Sequence, residues 1–257
     1  MTFQYAEPRT VESKDGLFFY HSIDLPGIGS IDGDWDLRGD AHAYLGNVDF
    51  KGKRVLDMGA GCGYLTFKME ELGADVVSFD IRAGSDWNIV PHYKVSDRLS
   101  SIRKQADISI NRMKDAYWFC HAALKSKANA YYGDIYSIPD ELGEFDVVFY
   151  GMILTHLRDP YWALYNGARL SRNKLVVTGI WSNDERPVST FRPAANKTSN
   201  LDIKGWWLLS RGTIKAMAGT MGFEFERSVF SNVMVNSKDS EGPRSCEALV
   251  FQRSHIK

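Results

Sequence analysis

The chain has 257 residues, of which 44% are hydrophobic and 25% charged, with a formal net charge of −1 and a pI near 6.6. Such a length suits one α/β domain with insertions, and the composition supports a folded core and excludes a disordered chain. The near-neutral charge gives no support to a general nucleic-acid binder, which carries a basic surplus. Cys62, Cys120 and Cys246 stand far apart without a Cys-x-x-Cys pair, so they read as reduced thiols of a cytoplasmic protein. The six histidines do not cluster at ligand spacing, so no metal is expected. No apolar run reaches membrane-spanning length, and residues 1–9 lack the apolar stretch of a signal peptide, so no membrane partner is expected.

In chain order, residues 1–50 are turn-rich and aromatic and read as a preamble, a lid over whatever site the rest of the chain forms. Residues 51–257 read as the main domain. Residues 54–57 form a short apolar run ending in an acid; glycines follow at 59, 61 and 63. Residues 64–72 show helical spacing, with Leu65, Met69 and Leu72 on one face and Gly73 as the stop. Residues 75–80 read as the next strand, completing a βαβ unit. The stretch 84–127 is longer than one crossover helix needs and is read as a helix plus an insertion. Strands are expected at 128–132, 145–150 and 175–180, with a helix opened by Pro160 between the last two. A long loop over 181–206, a helix over 213–221 and two final strands at 223–229 and 248–252 complete the chain. The fold expected is a Rossmann-like, seven-stranded, mostly parallel sheet with helices on both faces and an antiparallel final strand.

The run Val55-Leu56-Asp57-Met58-Gly59-Ala60-Gly61-Cys62-Gly63 carries the chemistry. Glycine lets the backbone turn tightly and approach a ligand, and the helix that follows presents free N–H groups. Asp80 lies 21 positions after Gly59, about where a carboxylate meets ribose hydroxyls in a nucleotide fold. Nicotinamide folds use G-x-G-x-x-G to seat a pyrophosphate. Here the spacing is G-x-G-x-G behind Asp57, an acid that would repel a pyrophosphate and suits a ligand whose near end is an ammonium.

This run resembles motif I of the class I S-adenosylmethionine (SAM)-dependent methyltransferases. Tyr132-Gly133-Asp134-Ile135 is similar to their later acidic loop, and Phe145 to Gly151 and Leu154 to Pro160 resemble the fourth strand and its sequel. Within that superfamily the chain looks closest to relatives of the tRNA wobble-uridine (carboxy)methyltransferases, sharing the pair Trp35-Asp36 ahead of motif I. The resemblance spans about residues 30–230. The chain departs from the tRNA carboxymethyl enzyme in lacking its extra N-terminal domain and in the aromatic insertion over 83–127. The resemblance implies that SAM is the cofactor. Gly59, Gly61 and Gly63 would wrap its methionine end and Asp57 would orient its ammonium. Asp80 would hold the ribose, with Ile81 against the adenine. Asp134 and Ile135 would face the adenine, and Tyr150 and Gly151 would border the transfer site.

His156 lies just past the fourth strand, where an imidazole suits a general base for a hydroxyl nucleophile; packing of the loop is the other reading. His21 is a second catalytic candidate in the preamble. Arg38 is a candidate for the cofactor carboxylate, against a plain surface arginine. Trp206 and Trp207 either wall a substrate pocket or pack in the core. The function expected is methylation of a hydroxyl oxygen on a small molecule: a sugar, a glycan precursor or a natural product. The alternatives are a tRNA wobble-uridine (carboxy)methyltransferase and a nonenzymatic cofactor-binding module. The sequence leaves the oligomeric state open.

Overall fold

In a computed structural model the described residues are 3–90, 93–192, 205–237 and 241–254, the side chains of 93–95 excepted. The chain starts with a small hairpin, β1 (Ile23–Leu25) and β2 (Gly29–Ile31), then β3 (Trp35–Asp36) and the single turn α1 (Ala41–Tyr44). The alternating core follows: β4 (Arg54–Met58), α2 (Tyr64–Glu71), β5 (Asp75–Ile81), α3 (Leu99–Leu124), β6 (Asn129–Gly133), β7 (Phe145–Tyr150), α4 (Pro160–Ala168) and β8 (Ser171–Gly179). A two-residue pair, β9 (Thr190–Phe191) with β10 (Trp207–Leu208), precedes α5 (Arg211–Thr220). The long antiparallel pair β11 (Phe223–Val235) and β12 (Gly242–Arg253) closes the fold.

The main sheet has the order β3-β11-β12-β8-β7-β4-β5-β6. Strands β4 to β8 are mutually parallel, and β12 runs against β8. The expected parallel sheet with an antiparallel final strand is thus present. It has an eighth strand because Trp35 and Asp36, in the preamble, pair with Val235 and Met234.

The central strands are apolar on both faces, as buried parallel strands must be. In β4, Val55 packs with α2 and α3 on one face, while Leu56 and Met58 pack with α4 and α5 on the other. Leu37, Tyr44, Leu45 and Phe50 from the preamble are also buried in the first of these cores. The helix ends follow local rules. Asp159 accepts from Trp162 N–H at 2.9 Å ahead of Pro160, and Ser210 accepts from Thr213 N–H at 2.9 Å. The stretch read as helix plus insertion is one 26-residue helix, α3, preceded by two 3₁₀ turns. The last strands are longer than expected, so that residues 242–245, read as connector, belong to β12. Of the long loop after β8, residues 193–204 lie outside the described part. Among the described residues no helix is long and apolar enough to cross a membrane.

The turn Gly84–Asp86 is pressed onto α3. Ser85 N–H donates to Asp107 Oδ1 at 3.0 Å, and a Cβ on Gly84 would meet the backbone of Ala106 and Asp107, with Ala106 O at 2.6 Å. Gly84→Ala should therefore destabilise the fold by about 1–3 kcal/mol, the range for overpacking. The urea midpoint reads this out; an unchanged midpoint would show that the turn is not held against the helix.

Candidate active site

The chain leaves β4 toward β5 and β6, then returns to β7 on the other side of β4. At such a reversal the loops diverge and leave a crevice at the carboxyl ends of the strands. A cavity of about 430 Å³ lies there.

The glycine turn forms its floor. Gly59 and Ala60 donate their N–H groups to Phe79 O at 2.8 and 3.2 Å, which ties the turn to β5. Gly59 has φ +86°, and a Cβ on it would meet Ile153 Cγ2 at 2.6 Å, so both conformation and space demand glycine. A Cβ on Gly61 would instead project between Met113 Sδ and Tyr20 Cδ1, 3.7 and 4.0 Å away, into the cavity. Gly63 opens α2 behind the wall and does not line the cavity; a Cβ there would strike Phe67 and Tyr117.

Four carboxylates line the cavity: Asp34, Asp80, Asp86 and Asp134. Asp80 accepts from Gly61 N–H and Ile81 N–H, each at 2.6 Å. Burial pushes its carboxyl up, while those two N–H groups and the nearby Lys114 pull it down. Asp134 lines the cavity beside Ile135 and also accepts from Tyr136 N–H at 2.9 Å, closing a local turn. Ile81 lines the cavity as well.

Asp57 lies beneath the turn and outside the lining, 1% exposed, its Oδ2 accepting from Thr66 Oγ1 at 2.6 Å. Burial raises its carboxyl to about 7; the Thr66 hydrogen bond opposes this and Asp80 adds to it.

On the far side, His156 ends the 3₁₀ turn Leu154–His156 and lines the cavity, with Gly151 nearby. His21 also lines it. Its backbone N–H donates to Cys62 Sγ at 3.2 Å, and burial lowers its imidazole to about 4. So weak a base is neutral at pH 7 and draws a proton poorly.

Besides Asp57 and Gly63, two further expected members lie outside the lining. Tyr150 points to the opposite face of the sheet, fully buried, its hydroxyl donating to Ala163 O at 2.7 Å. Arg38 is held by Asp36 and Asp24, its Nε 2.9 Å from Asp36 Oδ1 and its Nη1 2.7 Å from Asp24 Oδ1, and does not line the cavity. Trp206 and Trp207 are likewise absent from the lining; they bond its rim through Asn88 O and Arg158 O.

The residues not foreseen are mostly aromatic. Phe18, Tyr20, Trp35 and Tyr44 form one wall, and Trp87 and Asn88 part of the roof. Of these, Trp35 stood out in sequence through the pair Trp35-Asp36; Tyr44, Asp34 and Asn88 carried no signal there. Burial, aided by the Asp34 charge, pushes the Tyr20 phenol up to about 12. Among the described residues no Lys or Arg lines the cavity, and no cluster of three or more His, Cys, Asp or Glu is arranged to hold a metal.

No family model matches the chain. Solved structures match it over most of its length. Magnesium protoporphyrin IX methyltransferase from Synechocystis PCC 6803, with bound SAH (S-adenosylhomocysteine), superposes with a TM-score of 0.54 at 15% identity. That match covers 85% of this chain and 82% of that one. An O-methyltransferase family protein from Burkholderia thailandensis gives 0.55 at 14% identity, covering 86% and 57%. The chain has the methyltransferase fold. The N-terminal domain of EvdMO1, in the presence of SAH and D-fucose, gives 0.52 at 16% identity over 94% and 93%. In sequence, the tRNA U34 carboxymethyltransferase of Pseudomonas paraeruginosa is 25% identical over 255 residues, 96% of this chain and 67% of that protein.

The buried Asp57 sets a pH signature. Its carboxyl ionises near 3.8 when unfolded and near 7 when folded. Between those values the folded state holds the extra proton, so this group's contribution to stability is lost as pH rises toward 7. The cost above pH 7 is on the order of 4 kcal/mol. Asp57→Asn has no such charge to bury. Its melting temperature relative to wild type should rise between pH 5 and pH 8. His21 pulls the other way, losing stability as pH falls from 6.5 to about 4, but it is common to both proteins and cancels in the difference. Parallel stability curves would mean that Asp57 titrates normally.

Proposed function

We propose that the chain is a SAM-dependent methyltransferase that methylates a hydroxyl oxygen of a small molecule. The observation that carries this reading is the composition of one cavity. It joins a Gly59-x-Gly61 floor, two carboxylates at adjacent strand ends and an aromatic wall, with no Lys or Arg among its described lining residues.

The cofactor fits what is present. Gly61 leaves room where a side chain would fill the floor. Asp80 stands at the end of β5, where it would accept from ribose hydroxyls, with Ile81 beside the adenine. Asp134 would accept from the exocyclic amine. Asp57, beneath the turn, would orient the ammonium through water. Bound there, SAM supplies a sulfonium-activated methyl group. His156, in the lining beyond the glycine floor, would take the proton of the acceptor hydroxyl. His21 shapes the wall and remains neutral. The preamble residues Phe18, Tyr20 and Trp35 exclude water and align the acceptor, and alignment alone supplies much of the rate for so activated a donor.

The similarity to a tRNA U34 carboxymethyltransferase favours a second reading, wobble-uridine modification. Charge argues against it. A nucleotide acceptor brings phosphates and a carboxymethyl donor brings a further carboxylate; both call for a cation, and the lining offers four aspartates. A nonenzymatic cofactor-binding module is a third reading; it fits less well, because the cavity extends past the glycine floor to His156 and the aromatic wall.

Calorimetry should show SAH binding and no NAD binding. Asp80→Ala should weaken SAH by about 1.5–3 kcal/mol, the range for hydrogen bonds involving a charged group. Tight NAD binding without SAH binding would overturn the reading. With an acceptor in hand, His156→Ala should cut turnover by roughly 10²–10⁴-fold while SAH affinity holds. Loss of affinity and thermal stability together would make His156 a packing residue.

A further inference from the structure

Asn88 is bonded to more of the cavity's loops than any role assigned so far requires. It follows β5 and lines the cavity with Asp80 and Ile81. Its side-chain oxygen accepts from Arg158 N–H at 2.8 Å and from the Tyr136 hydroxyl. Arg158 N–H can only donate, which fixes the amide orientation. The Tyr136 oxygen accepts in turn from Asp159 N–H at 3.2 Å. The backbone oxygen of Asn88 accepts from Trp206 Nε1 at 2.7 Å, and Trp206 N–H donates to Thr155 O at 3.0 Å. One residue therefore joins the loops after β5, β6, β7 and β8. Two of its bonded partners, Arg158 directly and Thr155 through Trp206, flank His156.

We propose that Asn88 is a positioning residue that couples occupation of the cofactor end of the cavity to the placement of the His156 loop. The coupling rests on the methyltransferase reading given above. The 84–88 segment is set on one side by its contact with α3 and borders the cavity beside Asp80 and Ile81. A ligand that immobilises it restrains residues 154–159 through the two bonds on Asn88 Oδ1. Cofactor bound first then presents a fixed base to the acceptor.

Hydrogen exchange of the full chain with and without SAH tests this. In the wild type, SAH should slow exchange at 154–159 and 205–209 by about tenfold, as well as at the glycine turn. In Asn88→Ala the slowing at 59–63 should persist and that at 154–159 should vanish. Asn88→Asp keeps the accepting oxygen and should restore it. Tyr136→Phe removes one of the two bonds on Asn88 Oδ1 and leaves that from Arg158 N–H, so it should diminish the slowing at 154–159, which covers the case that Asn88→Ala does not fold. A uniform loss of protection would be a structural effect; the expected loss is confined to one ligand-induced response. Undiminished slowing at 154–159 in Asn88→Ala or Tyr136→Phe overturns the coupling. Wild type that binds SAH without slowing at 154–159 overturns the coupling alone. Wild type that does not bind SAH removes the methyltransferase reading and the coupling with it.

Discussion

The site depends on the split in the sheet between β4 and β7. Parallel neighbours whose chain connections leave in opposite directions cannot close their loops over one another, so a crevice opens at their carboxyl ends. The sequence of the turn is what makes the crevice usable. Gly59 brings the backbone against Ile153 from the loop after β7, and two N–H groups anchor the turn to Phe79 on β5. The Gly61 N–H then reaches the Asp80 carboxylate. Three strand ends are thereby tied to the backbone of one glycine turn, two of them through the side chains of Ile153 and Asp80.

The electrostatics follow from the same burial. Asp57 is buried and Asp80 partly so, close enough that their charges interact, and desolvation raises both carboxyls. Part of that cost is offset locally, by Thr66 for one and by two backbone N–H groups for the other. Among the described lining residues no Lys or Arg stands beside the four carboxylates, which favours a ligand that carries positive charge into the cavity. A sulfonium with an adjacent ammonium has that character.

The legible part of this protein was the local part. The strand, glycine turn, helix and second strand from 54 to 81 declare themselves through spacing within thirty residues, and Asp80 follows from that frame. Tyr150 was misplaced by reading proximity in sequence as proximity in space. Strand alternation puts it with Val148 on the α4 face, and that parity was available in the sequence. Arg38 was paired by nearer partners, Asp36 two residues before it and Asp24 across the turn. The pairing of β3 with β11 joins residues some 200 positions apart, and no periodicity reports a contact at that distance. Asn88 is invisible for the same reason, since its partners lie 48, 70 and 118 positions away.

The preamble shows how a wall of the cavity can also be core. Leu37, Tyr44, Leu45 and Phe50 are at most 3% exposed, and Thr178 Oγ1 donates to Tyr44 O at 2.7 Å from the centre of the sheet. Asn232 N–H on β11 donates to Asp40 Oδ2 at 2.8 Å. Lifting this segment would expose several large apolar side chains, each worth about 1.5–3 kcal/mol in burial. Tyr20 and Trp35 pack against the same core, and Trp35 N–H donates to Tyr20 O at 3.0 Å. The opposite rim, where Asn88 meets Arg158, Tyr136 and Trp206, is joined chiefly by single hydrogen bonds of modest net worth. One side of the cavity is thus packed into the core of the sheet, while the opposite rim is tied by individual hydrogen bonds that meet at Asn88.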